Sequence, residues 1–254
     1  MSSLLEARGV TKRFAGISAL DEVNLDVRDA EIVGLIGPNG AGKTTLFNCL
    51  LGLTRPDGGS VTFSGHDISK VAPHKRARLG IARTFQRIEL FAGMTVREHL
   101  LVAERSRRND GALWKDVFLG GKPKADEVTR VDAMLEFFEL AADADRQVEA
   151  LSLGRGRVVE LARALMLEPK LLLLDEPSSG LDVDESAMIA QKLRELNESK
   201  GVAILLVEHD IAMVRELVAR VFVLDFGTLN AHGPTAEDFA DAGVQSAYLG
   251  GGGA

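Results

Sequence analysis

The chain has 254 residues, 46% of them hydrophobic and 26% charged, with a formal net charge of -7. That length can bury a core without disulfide or metal staples, and the single cysteine, Cys49, excludes a disulfide framework or a thiolate metal cluster. The acidic balance excludes holding nucleic acid by bulk charge, so no nucleic-acid partner is expected.

The N-terminal Met1-Ser2-Ser3-Leu4-Leu5-Glu6 lacks the basic-then-apolar pattern of a secretory signal, and a reducing cytoplasmic compartment is the expectation. Alternation of Val23, Leu25 and Val27 with Asn24 and Asp26 predicts a half-exposed antiparallel strand. Residues 32–36 form a short, wholly apolar run, the pattern of a fully buried parallel strand. It breaks into Gly37-Pro38-Asn39-Gly40-Ala41-Gly42-Lys43-Thr44-Thr45, and a helical segment follows over 46–51. A turn at Asp57-Gly58-Gly59 then leads to Val61-Thr62-Phe63, which extends the antiparallel layer.

From about residue 95 to 165 the chain reads as a helical subdomain, interrupted by a surface loop at Gly120-Gly121-Lys122-Pro123. Val131, Met134, Leu135 and Phe138 keep one helical face, and Val158, Leu161, Ala162 and Leu165 keep another. A second buried strand at 171–174 ends in Asp175-Glu176-Pro177, and a helix through Ile189, Leu193 and Leu196 stops at Gly201. A third apolar run, 202–207, ends at Glu208-His209. None of these runs approaches the ~20 residues that cross a bilayer, so any membrane role is expected to be peripheral. Strands alternating with helices predict an α/β fold around a mainly parallel sheet, with residues 1–249 as one domain and 250–254 a flexible glycine-rich tail.

Two of these strand ends carry chemistry. The loop at 37–45 matches G-x-x-x-x-G-K-[ST] between a predicted strand and a predicted helix, the context that the motif requires. Its backbone N–H groups and the helix N-terminus face phosphate oxygens, Lys43 reaches the β/γ-phosphates, and Thr44 offers a hydroxyl to Mg2+. At the second strand end, Asp175 suits the Mg2+ shell and Glu176 suits polarising an attacking water. His209 stands where it can contact the γ-phosphate. Together they predict a P-loop nucleotide hydrolase with ATP and Mg2+ as ligands, kinases and GTPases being the alternatives that share these motifs.

Leu151-Ser152-Leu153-Gly154-Arg155 resembles the LSGGQ signature of the ABC-transporter ATPases, and three further segments resemble motifs of that family. These are Arg83-Thr84-Phe85-Gln86 for the Q-loop, Ser178-Ser179-Gly180-Leu181-Asp182 for the D-loop, and Glu208-His209-Asp210 for the H-loop. The resemblance implies an ABC ATPase with a RecA-like core, an N-terminal antiparallel β layer and the helical subdomain. It also implies a dimer with two ATP molecules at its seam, in which Ser152 and Gly154 meet the partner's γ-phosphate and Asp182 crosses the seam. By the same resemblance Phe14 stacks on adenine, Gln86 reaches the Mg2+ and attacking-water region, and His209 senses the γ-phosphate. Ser152 reads independently as a helix N-cap, so the signature lies at a positive helix end. Leu153 and Arg155 depart from the signature pattern, and Arg155 is expected to add charge complementarity toward the partner's nucleotide.

A closer similarity runs along almost the whole chain. The 34–48 segment, Gly80-Ile81-Ala82-Arg83-Thr84-Phe85-Gln86, Leu90-Phe91-Ala92-Gly93-Met94-Thr95-Val96 and the ending Ala247-Tyr248-Leu249-Gly250 resemble the LivG-like ATP-binding subunits of branched-chain amino acid importers. The partners it implies are transmembrane permease subunits, a second ATPase subunit (a homodimer or a LivF-like heterodimer) and, indirectly, a solute-binding protein. The implied location is the inner face of the cell membrane. Lipopolysaccharide-export ATPases share Ile32-Val33-Gly34-Leu35 and the Tyr248-Leu249-Gly250 ending, whereas the Arg83–Gln86 region and the Trp114-bearing segment favour the importer. Non-transport ABC ATPases of DNA repair need a long coiled coil, and those of translation usually carry two motif sets. Neither pattern is present, and no Asn-Lys-x-Asp motif supports a GTPase.

Overall fold

In the computed structural model, which describes residues 3–84, 90–108, 123–208 and 210–234, each apolar run yields a five-residue strand that is buried throughout. The runs become β3 (Ile32–Ile36), β7 (Leu171–Asp175) and β8 (Ala203–Val207), which pair in parallel in the order β3-β8-β7. A strand buried on both faces has no polar side to show, which is why alternation is missing there. Its residues still divide between the faces. Leu171 and Leu173 pack with Ala203, Leu205, Val33 and Leu35 on one side. Leu172 and Leu174 pack with Ile204, Leu206, Ile32 and Ile36 on the other.

The sheet has six strands, in the order β10-β9-β3-β8-β7-β6. Strand β6 (Ile81–Arg83) adds in parallel at one edge, while β9 (Arg220–Asp225) and β10 (Thr228–Pro234) form an antiparallel hairpin at the other. That hairpin is not among the sequence expectations, although the parallel centre is. On the first face lie α1 (Lys43–Leu51) and a second sheet, β2-β1-β4-β5, built from β1 (Ser3–Phe14), β2 (Ile17–Arg28), β4 (Gly58–Phe63) and β5 (His66–Asp67). In β2, Val23, Leu25 and Val27 are buried and Asn24 is exposed, as the alternation predicts.

The expected turn at Asp57-Gly58-Gly59 is corrected by the structure. Gly58 already pairs with Thr11, and the register between β1 and β4 slips between Arg8 and Thr11, so the glycines mark a bulge within paired strands. Asp57 terminates the approach by accepting from Lys12 Nζ (2.9 Å) and the Arg13 N–H (2.8 Å).

The other face carries α3 (Val96–Arg108), α4 (Ala125–Phe137), α5 (Leu153–Leu165) and α6 (Val183–Lys200). Two short helices, α2 (Pro73–Leu79) and α7 (Ile211–Leu217), and two 3-10 turns, Ala141–Asp143 and Val148–Ala150, complete the described elements. Val131, Met134, Leu135 and Phe138 meet Val158, Leu161, Ala162 and Leu165 in the core of that layer, and Ile189, Leu193 and Leu196 close it from α6. Both predicted helical stripes are thus core faces. The loop at 120–123, apart from Pro123, and the tail at 250–254 lie outside the described residues.

Candidate functional site

The ends of β3, β7 and β8 converge at one edge of the main sheet, the edge where open parallel sheets present their binding loops. The loop after β3 is pressed against that sheet. At Gly37 φ is +149°, and a Cβ there would lie 2.0 Å from the Leu224 carbonyl oxygen of β9, so only glycine fits. The loop closes on itself through Ala41 N–H to the Pro38 oxygen (3.2 Å), and α1 begins with Leu46 N–H to the Gly42 oxygen (2.9 Å). No side chain caps the start of α1, and its first turn holds no acidic residue. The free N–H groups and the positive helix end therefore meet any anion lying in the loop.

Lys43 opens this helix and is only 7% exposed. Its ammonium donates to the Gly37 oxygen at 2.5 Å and to the Pro38 oxygen at 3.0 Å. Burial draws its pKa below the usual lysine range, opposed by the charges of Glu176 and Asp175. A buried ammonium bridged by neutral carbonyls favours added negative charge. Thr44 is exposed on the same turn, and Thr45 follows it half-buried.

Asp175 is the buried last residue of β7. Glu176 leaves the strand at φ +51°, an uncommon conformation for a residue with a side chain, held by its N–H donating to the Val207 oxygen at 2.9 Å. The two carboxylates and Lys43 thus form one electrostatic cluster. Among the described residues, no group of three or more His, Cys, Asp or Glu gathers as a metal cage. Mg2+ characteristically binds through one or two protein oxygens together with substrate phosphates, a habit that the Thr44 hydroxyl and the Asp175 carboxylate fit.

Glu208 enters the sequence reading only as the neighbour of the H-loop histidine, and the structure gives it a role of its own. It is buried, accepts the Ser178 N–H at 2.8 Å and the Asp210 N–H at 3.3 Å, and so ties the loop after Glu176 to the loop that carries position 209. A glutamate beside a motif histidine gives no sequence signal of this role. Gln86 and His209 themselves lie outside the described residues.

The signature segment begins α5 as expected. Ser152 caps it, its Oγ accepting the Arg155 N–H at 3.2 Å. The same hydroxyl donates to Glu185 Oε1 at 3.3 Å, and Glu185 joins Asp182 in a reciprocal capping box at the start of α6. A Cβ on Gly154 would stand 2.2 Å from Glu185 Oε1 in α6, and one on Gly180 would stand 2.8 Å from Leu153 Cδ2, so the signature and the D-loop lie in direct contact within one chain. Arg155 is a correction. Its guanidinium binds Asp143 Oδ2 (2.5 Å and 2.9 Å) and the Glu139 carbonyl (2.6 Å), so its charge is already paired within its own helical layer.

Phe14 is 49% exposed at the end of β1, with one face under the Lys12 ammonium. That exposure excludes a core role and leaves a flat surface for a planar ligand. Beyond β6, Phe91 is 59% exposed and stacks on buried His99. The Phe91 N–H donates to His99 Nε2, so the ring's proton sits on Nδ1, facing the Thr95 carbonyl. Burial lowers the pKa of His99 and keeps it neutral for that pair of contacts.

Over residues 20–179 the chain matches the ABC transporter family. It is 38% identical over 251 residues to the high-affinity branched-chain amino acid transport ATP-binding protein LivG of Salmonella typhimurium, covering 97% of this chain and 98% of that one. The corresponding protein BraF of Pseudomonas aeruginosa is 38% identical over 255 residues, with the same coverage of 97% and 98%. A nucleotide-free ATP-binding cassette from an ABC transporter superposes with a TM-score of 0.86 at 30% identity, over 97% of this chain and 99% of that one. An ATP-binding cassette in its ADP conformation gives 0.85 at 32% identity, over 98% and 100%.

Proposed function

Because the chain belongs to the ABC transporter family of ATP-binding subunits, we propose that it energises import of branched-chain or other hydrophobic amino acids by hydrolysing ATP. The observation that carries the nucleotide chemistry is the buried Lys43 ammonium at the phosphate loop, set electrostatically against Asp175 and Glu176. The cargo class is supported by 38% identity to LivG and BraF along nearly the whole chain.

Bound Mg2+ supplies charge neutralisation to the phosphates, and the chain's own residues account for the rest. The loop N–H groups of 37–45 and the Lys43 ammonium bind and orient the β/γ-phosphates, Thr44 and Asp175 hold the ion, and Phe14 receives the base. Glu176 accepts the proton of the attacking water, with Gln86 and His209 completing the γ-phosphate surroundings. Ser152 and Gly154 face the nucleotide of a second subunit, either another copy or a LivF-like chain, and Asp182 lies across that seam. No described helix is long and apolar enough to cross a membrane. The likeness to LivG and BraF supports permease subunits as the spanning partners and the inner face of the membrane as the place where the chain works. Phe91, exposed beyond β6 and held by His99, supports that part of the surface as the place where the permease docks.

Lys43→Ala tests the phosphate-binding half of this reading. Loss of one charge-assisted contact predicts ATP affinity about tenfold weaker or worse, measured by equilibrium titration with an unchanged melting curve as the folding control. Affinity within about twofold of wild type contradicts it.

A further inference from the structure

We propose that Lys12 and Asp57 are positioning residues that clamp Phe14 for the base of the nucleotide. The proposal rests on the reading of Phe14 as the base platform. Phe14 is the final residue of β1, just before the Ala15-Gly16 turn, and about half of its side chain is exposed. Lys12, two residues earlier and therefore on the same face of the strand, places Nζ 5.3 Å from the ring centroid. That distance lies within cation–π range.

The ammonium is itself held. Asp57 Oδ1 accepts from Lys12 Nζ at 2.9 Å while Oδ2 accepts the Arg13 N–H at 2.8 Å. Asp57 is anchored in turn by its own N–H, which donates to the Thr11 oxygen at 2.8 Å. One carboxylate therefore fixes both the backbone entering Phe14 and the cation behind its ring. The bond from Lys12 also holds the Asp57 carboxyl below the usual carboxylate range. The Lys12 side chain is largely buried, unlike a solvated basic residue on an exposed strand. With the ammonium against the ring and half of the side chain exposed, the aromatic is set in orientation before the base arrives.

The test separates base from phosphate. ATP and inorganic tripolyphosphate are titrated into the full chain for wild type, Lys12→Met, Asp57→Asn, Phe14→Ala, Lys12→Arg and the double variant Lys12→Met/Phe14→Ala, with melting curves for each. Lys12→Met and Asp57→Asn are expected to weaken ATP roughly two- to fivefold and leave tripolyphosphate unchanged. Lys12→Arg retains wild-type affinity, and in the Phe14→Ala background Lys12→Met has no further effect. Equal weakening of both ligands, or a full additional loss of ATP affinity in the double variant, overturns the clamp, because Lys12 then acts on the phosphates or independently of the ring. If Phe14→Ala leaves the ratio of the two affinities unchanged, the base-platform reading fails and the clamp fails with it. If Phe14→Ala changes that ratio and Lys12→Met does not, the clamp alone fails.

Discussion

Glu176→Gln is expected to lower ATP turnover by about 10²–10³-fold while leaving ATP affinity within about twofold of wild type. A positioned general base contributes roughly 10²–10⁴-fold, and the amide keeps the size of glutamate while losing its basicity. The strand places the group: β7 ends at Asp175, and the positive φ of Glu176 swings the next residue out of the sheet, held by the Val207 carbonyl. Asp175 continues to face Lys43 in the variant, so the contacts proposed for phosphate and ion persist. Phosphate release gives the rate and equilibrium titration gives the affinity. Near-normal hydrolysis would remove Glu176 from the water-activating role, and lost binding would assign its charge to holding the nucleotide.

Arg76→Met carries the largest expected effect on stability. Arg76 is 1% exposed, and its guanidinium donates to the carbonyls of Cys49 (2.8 Å) and Leu50 (2.6 Å) in the last turn of α1. It also donates to Val71 (2.9 Å) and Ser69 (3.3 Å). A helix leaves its last carbonyls without internal partners, and here a buried cation supplies them. Each buried acceptor stranded by the substitution costs about 1–3 kcal/mol. The Cys49 carbonyl retains the Gly52 N–H, and methionine spares the desolvation that draws the Arg76 pKa down. These opposing effects leave a net loss of about 3 kcal/mol, or roughly 6–12 °C in Tm for a chain of this size. Thermal and urea unfolding measure it, and a loss below about 1 kcal/mol would mean that the carbonyls find other partners. Lys43 stands at the other end of the same helix, so this cap lies behind the phosphate loop.

Those two residues show what a sequence reveals and what it hides. Glu176 is legible because an apolar run that stops at two acids, in a chain that already carries a phosphate loop, has the form of a buried strand delivering carboxylates to a nucleotide. Arg76 is not, because within His74-Lys75-Arg76-Ala77-Arg78 it looks like one solvated cation among several. Only the chain's return onto α1 buries it. The parallel core strands follow from unbroken apolar runs and both helical stripes from burial periodicity, and both signals are local. The edge hairpin β9-β10 and the bulge at Gly58-Gly59 depend on pairing with distant segments. Arg155 escapes a motif-based reading for the same reason: its partner Asp143 comes from a short turn that the motif does not include. Glu208 and Glu185, which link the D-loop to the H-loop and to the signature respectively, likewise acquire their roles only when those segments meet.

The most direct measurement of the proposed function is ATP hydrolysis by this chain assembled with its permease in a lipid membrane, with the solute-binding protein added with and without leucine, isoleucine or valine. Stimulation that requires a branched-chain amino acid, and that Lys43→Ala abolishes in the same assembly, is the predicted result. Hydrolysis indifferent to these amino acids, or stimulated instead by a cargo of another chemical class, would contradict it.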